Sequence, residues 1–482
     1  MDQAETELMI QTFLDGLGFG APVIVGAANL VARYNYRART PFGVQYKTIG
    51  AMVSYFRGYN LNGLGTGKTF CTLAAFDILR SLGYVSRLLV AAPLSTLRFV
   101  WVAEVIRAFP HLKIEVVYGT KQKRLQALER DADIYVINHD GIATIQDELL
   151  WRADIDALAV DELAVYRNGS AKRTKLLRTI AAPKKWVWGL TGSPMPRDVT
   201  DVWGQATIIT PHTVPKYFTH LRHQLCFKDG PFKWRAREGA VEQAVGMMRP
   251  GVRFSLDEVT ELPSQVIQYV PVSMGKKQGE IYKSLKQQAI AMVGDAKIDA
   301  LNAGAVLNKL LQIALGWVYA RDGRVIKLDN EERVDTLLEY IDGTQRKAMV
   351  LLPFKHALSG VSAALTKENI PHFVVSGDTP AGKRNEIFDA FQNGSGKEPL
   401  VAHPACLAHG ITLTAADTII WGGPTTSLEI FLQANARIRR IGQTHKQLIV
   451  LLGGTPVEQK IYSLLGDNEL TQNKFLSLLS SE

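Results

Sequence analysis

The stretch Asn62-Gly63-Leu64-Gly65-Thr66-Gly67-Lys68-Thr69 places three glycines directly before a Lys-Thr pair, and a segment with apolar residues at helical spacing follows it. Glycine allows a tight turn whose N–H groups point inward, and the start of the next helix adds partial positive charge. Such a turn binds nucleotide phosphates, with Lys68 reaching the β- and γ-phosphates and the Thr69 hydroxyl binding Mg²⁺. The stretch therefore predicts a phosphate-binding loop. Asn62 stands where the usual pattern has glycine, and a plain glycine-rich turn is the alternative.

Length and composition limit the class of protein. The 482 residues exceed what one hydrophobic core usually holds, so we expect at least two domains. With 46% hydrophobic and 21% charged residues, the chain is typical of globular proteins. The formal net charge of +9 favours a polyanionic partner, and nucleic acid before a membrane surface.

The three cysteines lie far apart and form no C-x-x-C pair, which argues against a disulfide framework and against a zinc site. The acidic N-terminus differs from the basic start of a signal peptide. No apolar run approaches the ~20 residues that a membrane span needs. We therefore expect a cytoplasmic protein that binds no membrane. We also expect a monomer.

Short apolar runs alternate with helical patterns after the glycine stretch, which predicts a doubly wound α/β domain. Four runs are predicted as buried parallel strands: 88–92, 134–137, 157–160 and 187–190. Ligands of such folds bind at the carboxyl ends of the strands. Polar residues follow three of the four strands: Ser95, Thr96, Asp161, Glu162 and Thr191.

These polar residues have chemical and structural interpretations. Asp161 can hold Mg²⁺ and Glu162 can orient an attacking water, although a lone acidic pair at a strand end is more often a surface feature. Their position after the glycine stretch favours the catalytic interpretation. Hydroxyl and N–H groups at Ser95 and Thr96 suit a phosphate backbone without reading bases. Gln45 offers a donor and an acceptor to the edge of an adenine, or is a surface glutamine.

A second series of five apolar runs predicts another α/β domain, which lacks a glycine-Lys-Thr loop. The predicted strands are 348–352, 373–375, 400–402, 418–421 and 448–452. Gln433, Arg437 and Arg440 follow at spacings of four and three, which predicts that one helix face carries all three. An arginine there can stabilise transition-state charge as an arginine finger, and a solvated basic helix end is the alternative.

Residues 216–253 combine eight Lys or Arg with three Asp or Glu, a local charge of +5, and aromatic residues lie among them. Basic residues interleaved with aromatics are typical of nucleic-acid contacts, but a charge run is also typical of a solvated face. The two interpretations are equally favoured.

The ordered motifs resemble helicase superfamily two and, within it, the Swi/Snf-type double-stranded DNA translocases, in the form of compact prokaryotic or phage members. The resemblance covers roughly residues 38–470. It is carried by Gln45, Gly65-Thr66-Gly67-Lys68-Thr69, Pro93-Leu94-Ser95, Asp161-Glu162, Leu190-Thr191-Gly192-Ser193-Pro194, His409-Gly410-Ile411-Thr412-Leu413 and Gln433 through Gln443. The closing Arg440-Ile441-Gly442-Gln443 is its most specific part.

The resemblance implies two RecA-like doubly wound parallel-sheet lobes in tandem, with ATP and Mg²⁺ between them. The implied division is an N-terminal accessory element at 1–38, lobe one at 39–255 and lobe two at 256–482. ATP would be bound by Gln45, Gly65, Thr66, Gly67, Lys68, Thr69 and Gly410, and Mg²⁺ by Thr69 and Asp161. The implied catalytic residues are Lys68, Asp161, Glu162, Gln433, Arg437 and Arg440. The implied nucleic-acid contacts are Ser95, Thr96, Thr191, Gly377 and Gly410.

The resemblance thus implies an ATP-hydrolysing motor that translocates on double-stranded DNA, in the cytoplasm of a prokaryote or of a phage-infected cell. A strand-separating DNA or RNA helicase is the alternative. A nucleic-acid-binding clamp with weakened ATPase is a third, less favoured hypothesis. Three departures from the family pattern are Asn62 at the loop start, Ala164 in place of histidine and Thr426 in place of tryptophan.

Overall fold

The computed structural model describes residues 2–17, 24–230, 234–256, 258, 263–294, 300–320, 322–407, 411–440 and 442–466. The chain divides into two compact units, Met1–Glu261 and Leu262–Glu482. Residues 1–38 belong to the first unit, and their assignment as a separate accessory element remains a prediction, as does the boundary after residue 255. Within the described residues, no helix has both the length and the apolar character that a membrane span requires.

The first unit contains eleven described α-helices and nine described strands. The helices are α1 (Gln3–Leu17), α2 (Ala27–Arg33), α3 (Gly43–Ser54), α4 (Lys68–Ser81), α5 (Ala103–Ala108), α6 (Lys121–Glu129), α7 (Gln146–Trp151), α8 (Lys172–Ala181), α9 (Val202–Ile209), α10 (Phe218–Leu225) and α11 (Ala240–Met247). The strands are β1 (Arg57–Asn60), β2 (Arg87–Ala92), β3 (Ile114–Val117), β4 (Ile134–Asn138), β5 (Ile155–Asp161), β6 (Trp186–Leu190), β7 (Cys226–Lys228), β8 (Trp234–Ala236) and β9 (Gly251–Val252).

Seven strands of the first unit form one parallel sheet in the order β3-β4-β2-β5-β6-β1-β9, and β7 and β8 form a separate antiparallel hairpin. Alternate residues of the central strands enter different hydrophobic clusters. Leu88 and Val90 of β2 pack with α1 to α4, whereas Leu89 and Ala91 pack with α8 and α9. Both faces of the sheet are therefore covered by helices, which explains why its inner strands read as continuous apolar runs.

The second unit contains seven described α-helices and eight described strands. The helices are α12 (Lys276–Gly294), α13 (Ala300–Leu315), α14 (Glu331–Asp342), α15 (Lys355–Lys367), α16 (Ala381–Asn393), α17 (Leu428–Asn435) and α18 (Pro456–Gly466). The strands are β10 (Gln265–Pro271), β11 (Trp317–Tyr319), β12 (Val325–Lys327), β13 (Lys347–Leu351), β14 (Phe373–Val375), β15 (Leu400–Ala402), β16 (Ala416–Trp421) and β17 (Gln447–Gly453).

Six strands of the second unit form a parallel sheet in the order β10-β17-β16-β13-β15-β14, and β11 and β12 form an antiparallel hairpin. Met349 and Leu351 of β13 enter one hydrophobic cluster, while Ala348 and Val350 enter the cluster on the other face. The predicted class, α/β with two doubly wound parallel-sheet units in tandem, is confirmed. All nine predicted strands are present. The apolar patterns did not predict the eight other described strands, which are β1, β3, β7, β8, β9, β10, β11 and β12.

A buried ion pair joins the start of α14 to α18 in the second unit. Arg333 Nη2 lies 3.0 Å from Glu458 Oε1, and the two side chains are 5% and 0% exposed. Glu458 Oε2 also accepts the amide of Gly454 at 2.8 Å, and Arg333 Nη1 donates to the carbonyl of Gly422 at 2.6 Å. The charges are thus hydrogen-bonded on several sides, as a buried pair requires.

Candidate active site

Apart from Gln45, which lies on α3, the predicted site residues of the first unit lie at or near the carboxyl ends of neighbouring strands of its sheet. The strands β2, β5, β6 and β1 are consecutive neighbours there. Ser95 and Thr96 follow β2, Thr191 follows β6, and the glycine stretch follows β1. Asp161 is the last residue of β5, and Glu162 follows it. The parallel sheet therefore brings four separate motifs to one edge, where folds of this class bind their ligands.

The glycine stretch forms a loop between β1 and α4, which begins at Lys68. Gly65 and Gly67 adopt φ values of 81° and 87°, in the left-handed region that favours glycine. Lys68 Nζ donates to the carbonyls of Asn62 and Gly63, both at 2.9 Å. The lysine therefore folds back over its own loop, at the N-terminus of a 14-residue helix.

Gln45 of α3 lies against this loop. Its Nε2 donates to the Thr66 carbonyl at 2.9 Å, its Oε1 accepts the Phe42 amide at 3.1 Å, and the residue is 1% exposed. A Cβ added to Gly67 would lie 2.4 Å from Gln45 Nε2. The structure thus gives Gln45 a role in supporting the loop, and its contact with adenine remains a prediction.

Asp161 is held by an indole that the sequence did not single out. Trp101 Nε1 donates to Asp161 Oδ2 at 3.1 Å, and Trp101 lies in a π-helical segment, Leu97–Val102. Desolvation raises the pKa of the Asp161 carboxyl, whereas the Trp101 hydrogen bond and the charge of Lys68 lower it. Asp161 is therefore an oriented carboxylate near the lysine of the loop.

Glu162 adopts a left-handed backbone conformation, with φ and ψ both at 52°. This conformation costs a side-chain-bearing residue roughly 1–2 kcal/mol. It turns the chain sharply from β5 into a 3₁₀ helix, Leu163–Tyr166, in which Ala164 is buried. Local strain of this kind concentrates at functional sites, so it supports a functional role for Glu162 without identifying the role.

The turn after β6 touches the phosphate loop. A Cβ added to Gly192 would lie 3.7 Å from Lys68 Nζ and 3.5 Å from the Asn62 carbonyl oxygen. Thr191 is buried, its hydroxyl accepts the Ser193 amide at 3.2 Å, and its own amide donates to the Asn60 carbonyl. Thr191 is therefore bonded to the end of β1, directly before the loop, and its contact with nucleic acid remains a prediction.

Ser95 and Thr96 differ in accessibility although they are neighbours. Ser95 is exposed, whereas Thr96 is buried and its hydroxyl donates to the Pro93 carbonyl at 2.9 Å. Of these two residues, only Ser95 presents its side chain at the surface. A nucleic-acid contact at Thr96 remains a prediction, and it would have to use the backbone.

The predicted single helix face for Gln433, Arg437 and Arg440 is wrong. The helix α17 ends at Asn435, so only Gln433 lies on it. The chain turns there because Leu413 donates its amide to the Arg437 carbonyl at 3.0 Å, which ties the next turn to a preceding loop. Gln433 itself is buried and donates to Glu429 Oε1 at 3.2 Å.

Both arginines instead contact the segment that follows β15. Arg437, 1% exposed, donates through Nη1 to the Ile411 carbonyl at 3.1 Å, and Arg440 Nη1 donates to the Thr412 hydroxyl at 3.0 Å. Desolvation lowers the pKa of Arg440 to about 10, so its guanidinium remains charged at neutral pH. The structure therefore joins the motif around Arg437 and Arg440 to the motif that contains Ile411 and Thr412. Gly410, a predicted site residue of the second motif, lies outside the described residues.

Gly377 lies in an exposed turn after β14. In the same turn Asp378 pairs with Lys355 at 2.6 Å, and the Ser376 amide donates to the Thr379 hydroxyl at 3.0 Å. The backbone at Gly377 is accessible, and its contact with nucleic acid remains a prediction.

Part of the basic stretch is used within the first unit. The Arg222 guanidinium lies between two rings, 4.6 Å from the centroid of Phe218 and 5.4 Å from that of Trp234. Arg235 pairs with Asp229 at 2.6 Å. Arg222 and Arg235 thus already have partners within the first unit. A role of the basic stretch in binding nucleic acid remains a prediction.

Arg39, which lies beside the loop, and its partner Glu104 were also missed. The Arg39 guanidinium lies 4.4 Å from the ring centroid of Phe70, and its Nη1 donates to Glu104 at 3.0 Å. A Cβ added to Gly67 would lie 4.0 Å from Arg39 Nη2. No sequence pattern singles out Arg39 or Glu104, because neither belongs to the glycine stretch nor follows a predicted strand.

The donor set of this edge fits a nucleoside triphosphate with its metal. The loop offers backbone amides at a helix N-terminus and the ammonium of Lys68, which suit phosphate oxygens. Thr69 lies at the second position of α4 and Asp161 at the end of β5, and a hydroxyl with one carboxylate is a typical protein contribution to Mg²⁺ held by phosphates.

Curated proteins of similar sequence come from phage, bacteria and animals. Protein p41 of Acyrthosiphon pisum secondary endosymbiont phage 1 is 26% identical, covering 84% of this chain and 89% of that protein. An uncharacterized ATP-dependent helicase of Mycoplasma genitalium is 22% identical over 84% of this chain. A SWI/SNF-related matrix-associated actin-dependent regulator of chromatin, subfamily A-like protein 1 of Xenopus tropicalis, is 21% identical over 80%. The chain spans only 39% and 41% of the last two.

Among solved structures, the Sulfolobus solfataricus SWI2/SNF2 ATPase core in complex with double-stranded DNA is 21% identical, with a TM-score of 0.43 and coverage of 92% of this chain and 95% of that one. Two family profiles match the sequence itself. The SNF2-related domain matches residues 61–315, and the helicase conserved C-terminal domain matches residues 332–442. Because the first profile alone matches more than half of the chain, the protein belongs to the SNF2-related family of helicase-like, ATP-hydrolysing enzymes.

Proposed function

We propose that the protein is a motor that translocates on double-stranded DNA and whose ATP hydrolysis is stimulated by that DNA. The observation that carries the proposal is the convergence of the phosphate loop, Asp161-Glu162 and the Thr191 turn at neighbouring strand ends of one parallel sheet. Family membership supports ATP hydrolysis, and the net charge of +9 supports a polyanionic partner.

The first unit would bind ATP and prepare the attack on its γ-phosphate. Loop amides and Lys68 would hold the phosphates, and Thr69 with Asp161 would hold Mg²⁺. Glu162 would accept a proton from the attacking water and orient it toward phosphorus. The Trp101 hydrogen bond keeps Asp161 in one orientation, which leaves less reorganisation to be made during the reaction.

The second unit would contribute charge stabilisation through Gln433, Arg437 and Arg440. A guanidinium placed at the γ-phosphate stabilises the charge that develops on transfer. Hydrolysis would then depend on residues from both units, so that ATP turnover alternates between conformations with different affinities for DNA. Ser95 and Gly377 are both exposed, and we propose that they contact the phosphate backbone of the DNA.

Steady-state ATP hydrolysis tests the proposal, measured without nucleic acid and with duplex DNA, single-stranded DNA or structured RNA. We expect duplex DNA to raise kcat at least about tenfold, and Lys68→Ala to lower the stimulated rate by about 100-fold or more. Lys172→Ala, at an exposed lysine at the start of α8, is the matched control and should retain the wild-type rate. Retained hydrolysis in Lys68→Ala would contradict the site assignment.

The nucleic-acid arms distinguish the proposal from its alternatives. Release of a third strand from a triplex, without separation of the duplex beneath it, is the expected signature of translocation. Stimulation by single-stranded DNA or RNA together with duplex unwinding would favour a strand-separating helicase. ATP binding without hydrolysis on any nucleic acid would favour a clamp, and Ala164, in place of the histidine of the family pattern, would then be the candidate cause of the lost activity.

A further inference from the structure

The chain that leaves the sheet of the first unit runs beside the phosphate loop. We call residues 250–256 the exit segment. Its strand β9 pairs in parallel with β1, the strand that leads into the loop. The amides of Tyr59, Leu61 and Gly63 donate to carbonyls at two-residue intervals along the exit segment, at 2.9, 2.8 and 2.8 Å. The ladder of hydrogen bonds therefore continues past β1 into the loop itself.

Asn62 adds a side-chain connection at the same place. Its Oδ1 accepts the Phe254 amide at 2.9 Å, and its Nδ2 donates to the Thr48 hydroxyl of α3 at 2.9 Å. The orientation of the amide group is determined, because a backbone N–H can only donate. Asn62 is 1% exposed, so water cannot easily replace either partner. The residue that departs from the usual loop pattern thus links the loop to the exit segment.

Packing holds the exit segment close to the loop. A Cβ added to Gly63 would lie 3.5 Å from the Phe254 carbonyl oxygen and 3.6 Å from the Leu256 amide nitrogen. On its other side, the Phe254 ring lies 5.5 Å from that of Phe13 in α1. The exit segment therefore lies between the loop and the N-terminal helix, and the first unit ends at Glu261, soon after it.

Lys68 relates this connection to the nucleotide. Its ammonium donates to the carbonyls of Asn62 and Gly63, the two residues that hold Phe254. A phosphate is a stronger, charged acceptor for the same ammonium. If phosphates drew Lys68 away, the carbonyls of Asn62 and Gly63 would lose this donor, and both residues are bonded to the exit segment.

We propose that Asn62 is a positioning residue that couples nucleotide occupancy of the phosphate loop to the conformation of the exit segment. This inference rests on the proposed nucleotide site at Lys68. The exit segment leads along the chain to the second unit, so the coupling gives bound nucleotide a covalent route to that unit. Because coupling between sites is reciprocal, a change in the exit segment would also change nucleotide affinity.

Hydrogen–deuterium exchange of the full chain tests the coupling, with and without ADP and Mg²⁺. In the wild type, we expect nucleotide to change the exchange of peptides covering 62–69 and also of those covering 250–258. In Asn62→Ala, the first change should persist, whereas the second should become clearly smaller, since only the backbone bond of Gly63 to Phe254 remains, and the Phe254 amide should exchange about tenfold faster. Asn62→Leu, which keeps the side-chain volume, should behave in the same way if Asn62→Ala fails to fold.

Two further variants separate coupling from general destabilisation. Asn62→Asp retains an acceptor for the Phe254 amide and should restore the nucleotide response of the exit segment. Thr48→Val removes the other partner of Asn62 with little change in shape, and it should leave that response intact. A merely structural role of Asn62 would make all four variants respond alike to nucleotide.

The outcomes distinguish this inference from the proposed function. If peptides 62–69 do not respond to nucleotide in the wild type, the site at Lys68 is wrong and the inference is overturned with it. If they respond and peptides 250–258 do not, the inference alone is overturned. An exit segment that responds in Asn62→Ala as strongly as in the wild type, or that fails to respond in Asn62→Asp, would also overturn it.

Discussion

Replacement of Gly67 by alanine tests the geometry of the phosphate loop. Gly67 precedes α4 with φ at 87°, and a Cβ added to it would lie 2.4 Å from Gln45 Nε2. Gln45 is buried and cannot move without breaking its hydrogen bonds to the Thr66 carbonyl and the Phe42 amide. The added methyl group therefore forces either the loop or Gln45 out of place.

The cost of Gly67→Ala has two parts. The left-handed conformation costs alanine roughly 1–2 kcal/mol. Displacing Gln45 leaves a buried polar group unsatisfied, at about 1–3 kcal/mol. The native loop is then destabilised by about 2–5 kcal/mol, and since 1.4 kcal/mol corresponds to a factor of ten, we expect kcat/KM for ATP to fall at least about 30-fold.

Two variants identify the source of this loss. Gly83, after α4, has φ at 75°, and a Cβ there would meet nothing within 4 Å. Gly83→Ala should cost roughly 1–2 kcal/mol of unfolding free energy and leave kcat/KM within about twofold. The double variant Gly67→Ala with Gln45→Ala lacks the amide that the added methyl group would meet. Its loss in kcat/KM, expressed as free energy, should therefore be smaller by about 1–3 kcal/mol than the sum of the losses of the two single variants. Strict additivity, or an equal loss of activity in Gly83→Ala, would refute the reasoning.

Three other substitutions test neighbouring features. Desolvation raises the pKa of the Asp161 carboxyl in the folded protein, so the charged carboxylate lowers the stability of the fold at pH values above that pKa. Asp161→Asn should therefore raise Tm at pH 7, give no gain in Tm near about pH 3, and lower ATP hydrolysis at least about 100-fold. A lower Tm of Asp161→Asn at pH 7 would contradict this reasoning. Trp101→Phe removes a hydrogen bond to a charged group, worth about 1.5–3 kcal/mol, and should lower kcat/KM about tenfold; wild-type kinetics would exclude an orienting role. Glu458→Ala leaves Arg333 buried without its counter-charge and should lower the free energy of unfolding, measured in urea, by about 3–5 kcal/mol. The decrease should be larger than that of Glu458→Gln, and a decrease below about 1 kcal/mol would contradict the buried pair.

The predicted strands and the observed ones agree where burial on both faces produces a continuous apolar run. The runs at 88–92 and 418–421 lie inside their sheets and were recognisable for that reason. β1 was missed although it precedes the phosphate loop, because Arg57-Gly58-Tyr59-Asn60 has no apolar run. Its backbone pairs with β6 and β9 on both sides, so tertiary pairing rather than side-chain pattern makes it a strand.

The arginines of the second unit show where local spacing fails. Spacings of four and three are compatible with one helix, but they contain no information on where the helix ends. Here the end of α17 at Asn435 depends on hydrogen bonds from another part of the chain, including the Leu413 amide at the Arg437 carbonyl. Gln443 Nε2 also donates to the Ile438 carbonyl at 3.0 Å and to that of Ala416 at 2.9 Å.

The two α/β units and the order of the motifs along them could be predicted from the amino-acid sequence, because apolar periodicity and glycine-rich turns are local properties of a chain. The side chains that support the site could be identified only in the folded protein. The hydrogen bonds of Gln45 to Thr66, Trp101 to Asp161 and Asn62 to Phe254 join residues 21, 60 and 192 positions apart. Such contacts depend on strand order and register, which arise from the packing of the whole sheet and not from any one segment.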